Sequence, residues 1–296
     1  MLLSTQTSVM QSALGFKNAV DLFSEVGYDA LDFSFTDSEL TKDLSDEFFR
    51  DLKKYAAEKG LTFNQVHAPF PSSASDEDFT KNRFHEIITS IKHASILGVK
   101  NIVVHPCHHI RYADDGAPER LFEINMEFYS RLKPYCEEYG IRVALENMWQ
   151  RIAPNKISHS TCSRPEEFIK YLDTLNSNCF TACLDIGHTI LCCQDPADFI
   201  RALGKKRLGA LHVHDVDGIN DLHTLPYMGI CDWDKVVKAL AEIGYEGDFT
   251  YEADGFYKNK PKELYKQYQI TAVQTGRFLI KKAEEYKIKK AEEYKS

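Results

Sequence analysis

Several signatures are missing from this chain, and each absence removes a class. No glycine-rich loop of the GxGxxG or Walker type occurs, which argues against dinucleotide-binding and P-loop chemistry. The eight cysteines contain no CxxC pair, so a thiolate zinc site is not expected. Cys192 and Cys193 are adjacent and cannot easily bridge each other. The opening stretch MLLSTQTSVM lacks a basic segment followed by an apolar one, so no signal peptide is read there. Reduced thiols and a cytoplasmic location are therefore expected. No apolar run is long enough to span a membrane. Positive charge is in deficit: 36 Lys and Arg face 44 Asp and Glu, for a net charge of -8. That balance disfavours a broad nucleic-acid surface, although it leaves room for a local basic groove.

What is present is a regular alternation. Short apolar runs are followed by amphipathic helical stretches along most of the 296 residues. The first run lies near Leu2 to Val9, with a helix from about Phe16 to Val26. ALDFSF (Ala30 to Phe35) leads to a helix over Ser45 to Glu58. TFNQVHAPF leads to a helix over Phe79 to Leu97. KNIVVHP is followed by a polar loop, Cys107 to Pro118, and a helix over Glu119 to Tyr139. IRVALENM is followed by a loop, Trp149 to Ser163, and a helix over Arg164 to Leu175. FTACLDIGH precedes a helix over Pro196 to Leu203. RLGALHVHDV precedes the loop Asp217 to Asp232 and a helix over Trp233 to Ile243. GDFTYEAD precedes a last helix from near Pro261. Gly27, Gly60, Gly98 and Gly140 stand where helices should stop.

Eight strand-then-helix units predict a parallel sheet with right-handed crossovers that closes into a single (β/α)8 barrel over residues 1–279. An open doubly wound sheet is disfavoured. Its polar residues would gather at one switch point, whereas here they follow strands three to eight. The remaining residues, 280–296, carry the repeat IKKAEEYK at Ile280 to Lys287 and again at Ile288 to Lys295. Its alternating charge blocks predict a solvated helical extension.

The chemistry gathers at strand ends. Glu146, Asp185 and Glu252 end the fifth, sixth and eighth strands, and His212 ends the seventh. Buried carboxylates are costly unless paired or metal-bound. Three carboxylates and one imidazole suit Mn, Mg, Co or Zn as a divalent ion. His67, His105, His188, His214 and His223 also fall at or just after strand ends, with Asp221 among them. These side chains are candidates for substrate contact or for a second metal. His108 and His109 read as solvated loop residues. His85, His93 and His159 suggest no chemical role.

Taken together, VHAPF, VVHP, ALENM, CLDIGH, LHVHDVDG, DLH and TYEAD resemble the xylose isomerase-like TIM-barrel superfamily. The sugar phosphate isomerase/epimerase branch is the best match, and D-tagatose 3-epimerase, inosose dehydratase and endonuclease IV share the architecture. The resemblance covers all but the repeated tail. It implies that Glu146, Asp185, His212 and Glu252 hold a central divalent metal and that His188 contacts substrate. Trp233 in CDWDKV matches a tryptophan that often follows the seventh-strand loop. The loop before it reads Pro226-Tyr227-Met228-Gly229, where relatives commonly carry Pro-Gly-acidic-Gly. The arginine that epimerases tend to carry after the metal histidine is absent.

The implied activity is isomerisation or epimerisation of a sugar or sugar phosphate, by removal of the proton α to a carbonyl through a metal-stabilised enediolate. Glu146 and Glu252 would be the acid–base pair. Three alternatives stand beside it. One is an endonuclease IV-like zinc phosphodiesterase, with extra zinc on His67, His105, Glu146, Asp185, His188, His212, Asp221, His223 and Glu252. The second is an inosose-type polyol dehydratase on nearly the same residues. The third is a barrel that binds sugar or metal without turnover. The expected partner is a small-molecule sugar, with a membrane excluded, nucleic acid disfavoured and a homo-oligomer allowed.

Overall fold

The computed structural model describes residues 1–36 and 38–293. Eight parallel strands form one sheet: β1 (Leu3–Gln6), β2 (Ala30–Ser34), β3 (Thr62–His67), β4 (Asn101–Val103), β5 (Arg142–Glu146), β8 (Phe180–Asp185), β9 (Leu208–His212) and β10 (Phe249–Tyr251). Their order is β10-β1-β2-β3-β4-β5-β8-β9, and a parallel bridge between Val213 and Tyr251 joins the two ends. The sheet thus closes as a (β/α)8 barrel. Two further strands, β6 (Trp149–Ala153) and β7 (Lys156–His159), pair antiparallel outside it.

Alternation along the strands separates two cores. Val103, Ala144, Cys183 and Ala210 form a small cluster inside the barrel. Ile102, Val104, Val143, Leu145, Leu184 and Leu211 belong to the larger cluster between strands and helices. The period of two sends each strand's bulky set outward and leaves small or polar groups inside. The helices that cover the outside are α1 (Ser8–Leu14), α2 (Phe16–Val26), α3 (Ser38–Thr41), α4 (Asp46–Glu58), α5 (Glu77–Leu97), α6 (Ala117–Tyr139), α7 (Pro165–Leu175), α8 (Ile186–Leu191), α9 (Pro196–Arg207), α10 (Trp233–Ile243) and α11 (Tyr265–Glu293). Side-chain caps from Ser45, Asp76, Asp195 and Asp232 start four of them, each worth about 1 kcal/mol. Gly98 and Gly140, with φ of 84° and 66°, end α5 and α6 in the left-handed region.

Three elements differ from expectation. The stretch after the fifth strand is a β-hairpin, not an open loop. Asn155, with φ of 57°, makes its tight turn, which asparagine tolerates. The sixth barrel strand stops at Asp185. Its carboxylate caps α8 by accepting the His188 backbone N–H at 2.6 Å, so Ile186 to His188 are helical. The charged tail continues the eighth unit's helix without a break, and one side of its first copy packs inward while Lys281, Glu284 and Glu285 stay exposed. Ile280 and Ala283 are buried, and Lys287 Nζ donates to the Tyr245 carbonyl at 2.8 Å. In the second copy Ile288 is exposed, and Tyr294, Lys295 and Ser296 lie outside the described residues.

Candidate metal centre and catalytic cavity

The closed barrel brings four strand ends to one mouth. Glu146 ends β5, Asp185 ends β8, His212 ends β9, and Glu252 follows β10. All four are buried, the first three completely. One ligand atom from each lies within 4.8 Å of every other. His212 Nδ1 sits at the centre, 3.1 Å from Glu252 Oε2, 3.3 Å from Glu146 Oε2 and 4.0 Å from Asp185 Oδ2. Opposed ligands of a divalent ion at about 2.1 Å each would stand ~4.2 Å apart, so the set has the size of a coordination shell.

Satisfaction of polar atoms points the same way. Both carboxylate oxygens of Glu146 and both ring nitrogens of His212 are buried and lack hydrogen-bond partners. Native interiors rarely leave such atoms orphaned. A hard-to-borderline divalent cation satisfies three carboxylates and an imidazole together.

Two further groups adjoin this one. His67, His105 and Glu146 converge on one side; His67 Nε2 lies 3.3 Å from His105 Nε2, and His105 Nε2 lies 3.3 Å from Glu146 Oε2. His188, His214, Asp221 and His223 converge on the other. There His188 Nδ1 donates to the Asn147 carbonyl at 2.8 Å, and His223 Nδ1 to the Glu252 carbonyl at 2.8 Å. Those bonds fix both tautomers and turn both Nε2 atoms toward Asp221 Oδ2, at 3.4 Å and 3.0 Å. His214 lies beneath this group: its Nε2 is 2.9 Å from Asp185 Oδ2, and its ring stacks on His223 at 4.1 Å. Gly187 makes room for it, because a Cβ there would fall 2.0 Å from the His214 ring.

Excess carboxylate charge governs the electrostatics. Burial opposes charge on His188, but Asp185 and Asp221 overcome it and lift the imidazole to about 10. His212 and His223 are also raised well above the ordinary range. Burial again opposes, and Cys183 with Glu252 for His212, and Asp221 for His223, prevail. Glu252 and Asp221 are held well below the carboxylate range, as neighbouring imidazoles outweigh their desolvation. His105 and His108 go the other way, pushed down by burial, His108 to about 4.

Above the four-ligand group opens a cavity of about 410 Å³. His67, His105, His188, Asp221 and His223 line it, together with Glu146 and Glu252. Lining residues not anticipated are Thr36, Phe70, Met148, Trp149, Arg151 and His108. His108 was expected in solvent; the loop after β4 instead folds over the mouth and half buries it. Trp149 and Arg151 arrive on the β6–β7 hairpin, with the Arg151 guanidinium 5.4 Å from the Trp149 ring. Trp233 does not reach the cavity. It is buried at the start of α10, and its indole N–H donates to Asp215 Oδ2 at 2.8 Å. The Asp215 carboxylate also accepts from the backbone of Val216, Tyr227 and Cys231, so this pair shapes the seventh-strand loop.

Residues 20–269 match the family described as xylose isomerase-like TIM barrel. The chain belongs to that family. Among curated relatives of this xylose isomerase-like barrel, it is 25% identical over 265 residues to the uncharacterized protein y4fM of Sinorhizobium fredii, spanning 80% of this chain and 81% of that one. Among solved structures it superposes on a D-tagatose 3-epimerase-like protein with TM-score 0.77, at 21% identity over 98% of this chain and 100% of that one. It also superposes on the IolI protein, solved with a zinc atom, with TM-score 0.75, at 22% identity over 97% and 99%. At these identities the superpositions speak for the barrel fold. Among the described residues no helix is long and apolar enough to cross a membrane, and all eight cysteines are free.

Proposed function

We propose that this chain is a divalent-metal-dependent isomerase or epimerase of a sugar or sugar phosphate. One observation carries the reading: Glu146 and Glu252 flank His212 Nδ1 at 3.3 Å and 3.1 Å, on the floor of a cavity of monosaccharide size. Glu146, Asp185, His212 and Glu252 would hold the ion, Mn, Mg, Co or Zn. A divalent ion there supplies Lewis acidity to a substrate carbonyl and the adjoining hydroxyl. The epimerase-like and zinc-bound IolI structures are consistent with such a site.

The chain's own residues perform the proton transfers. One of the two glutamates removes the proton from the carbon next to the carbonyl. The C–H electron pair moves into the carbonyl, giving an enediolate, and the proton is held on the carboxylate. Donation to the opposite face of a proton that the other glutamate carries as its carboxylic acid yields an epimer; return of the first proton to the former carbonyl carbon, with a proton passing between the two oxygens, yields an aldose–ketose isomer. Gln6 Nε2 donates to Glu252 Oε1 at 2.9 Å, which orients that carboxylate and leaves Oε2 for chemistry. His188, held by Asn147, contacts a substrate hydroxyl. Phe70 and Trp149 give the sugar an apolar wall and exclude water.

The test is solvent exchange. Metal-loaded protein incubated in D2O with ketopentoses, ketohexoses and their phosphates should place deuterium on the carbon next to the carbonyl. Glu146→Gln and Glu252→Gln should each stop it. No exchange from any of these sugars would overturn the reading.

A second reading rests on a specific observation. The three metal-capable groups described above adjoin, two of them share Glu146, and together they include all nine residues that a trinuclear zinc phosphodiesterase would use. Cleavage of abasic-site DNA by zinc-loaded protein, lost in His223→Asn, would establish it. Polyol dehydration would use the same two glutamates and is separated by loss of water from an inosose-type substrate. A small-molecule partner, a homo-oligomeric state and a cytoplasmic setting accompany the first reading.

A further inference from the structure

Asp32 has no place in the site described so far. It lies on β2, inside the barrel and completely buried. Its Oδ2 accepts from Gln65 Nε2 at 2.9 Å, while its Oδ1 has no partner. Behind the four-ligand group, His212 Nε2 is likewise buried and unpartnered, and it lies 3.8 Å from Asp32 Oδ2. Among the described residues, no lysine or arginine forms an ion pair with Asp32; the imidazoles of His212 and His67 converge with it.

The unpartnered His212 Nε2 thus faces a carboxylate whose Oδ2 has room for a second donor. His212 Nδ1 is the nitrogen that faces Glu146, Asp185 and Glu252, so Nδ1 must be free of its proton to act as a ligand. The remaining proton then sits on Nε2, which is completely buried. A carboxylate oxygen is there. Motion of roughly 1 Å would bring the pair within hydrogen-bond distance. An imidazole that donates to a carboxylate is a more basic ligand with a fixed ring plane.

We propose that Asp32 is a positioning residue for the metal centre: it holds the His212 tautomer and ring so that Nδ1 serves as the ligand. The proposal rests on the four-ligand group being a metal site, and the experiment separates the two. Zinc is titrated into the metal-free wild type and Asp32→Asn in competition with a chromophoric chelator, and the unfolding midpoint of each metal-free protein is recorded. Asp32→Asn should bind zinc about 10–100-fold more weakly at unchanged stoichiometry. Its metal-free midpoint should stay close to that of the wild type, since asparagine keeps an acceptor oxygen for Gln65. A merely structural Asp32 would give a lower midpoint and unchanged affinity. Equal affinities overturn the proposal and leave the metal centre standing. Loss of one zinc equivalent makes Asp32 a ligand and overturns it too. No zinc on the wild type sinks the centre itself. If Asp32→Asn does not fold, imidazole nitrogen NMR of the zinc-loaded wild type decides. Metal on Nδ1 with a slowly exchanging Nε2 proton supports the proposal, and metal on Nε2 refutes it.

Discussion

Two groups of histidines and carboxylates share the barrel mouth, and their unsatisfied atoms set them apart. In the first, Glu146 and His212 leave four buried polar atoms with no hydrogen-bond partner. In the second, His188 and His223 anchor Nδ1 on backbone carbonyls and pair Nε2 with Asp221, and His214 bonds Asp185, leaving His214 Nδ1 and Asp221 Oδ1 as its unpartnered atoms among the described residues. Protons on His188 and His223 satisfy most of the second group's contacts. The first group differs: its one histidine faces three carboxylates at its ligand nitrogen. A cluster of metal-ligating residue types is therefore an incomplete criterion. What favours the first group as a candidate seat for an ion is that its unsatisfied atoms face one another, Glu146 Oε2 lying 3.3 Å from His212 Nδ1.

The largest expected effect comes from removing a ligand in each group. Glu146→Gln should abolish tight metal binding and lower turnover by about 10²–10⁴-fold, whereas Asp221→Asn should keep the first metal equivalent; metal titration beside a kinetic assay reads both. Equal losses would erase the distinction drawn above. Gly187→Ala strikes both groups at once, since its Cβ would displace His214 from Asp185 and from the His223 stack. Overpacking of this kind should cost about 3 kcal/mol in denaturant unfolding and weaken the metal site as well.

A third test uses a carboxylate outside the mouth. Burial acts on Glu167 as on Glu252, but Glu167 has no imidazolium beside it, and it rises from 4.5 to about 7. The folded state holds that proton more tightly than the unfolded chain. Stability therefore falls as pH rises from 4.5 through 7. Glu167→Gln should gain about 2 kcal/mol on the wild type at pH 8 and nothing at pH 4, by parallel unfolding titrations. The smallest effect is Trp233→Phe. It removes one charge-assisted bond to Asp215, should cost about 1.5 kcal/mol of stability, and should leave metal affinity unchanged.

The barrel and its four strand-end candidate residues were legible because both follow from a local period. Apolar runs of fixed length ended at Glu146, Asp185, His212 and Glu252, and a closed parallel sheet must collect such ends at one mouth. The cavity wall was not. Trp149, Arg151 and His108 reach it through a hairpin and a loop whose paths are set by tertiary packing. Trp233 stood at the expected place in the chain, but the direction of its indole N–H follows from Asp215, which no spacing reveals. Asp32 left a signal that was passed over: one carboxylate within the apolar run ALDFSF, on a strand buried along its whole length. The first tail copy read as solvated because its charge blocks hide Ile280 and Ala283, which pack at helical spacing.

The most direct test of the metal assignment is a count of tightly held ions per chain, by native mass spectrometry of protein loaded with zinc or manganese and then passed over a chelating resin. The account predicts one ion on the wild type and on Asp221→Asn, and none on Glu146→Gln. Retention of three ions on the wild type, or one that survives Glu146→Gln, would contradict it.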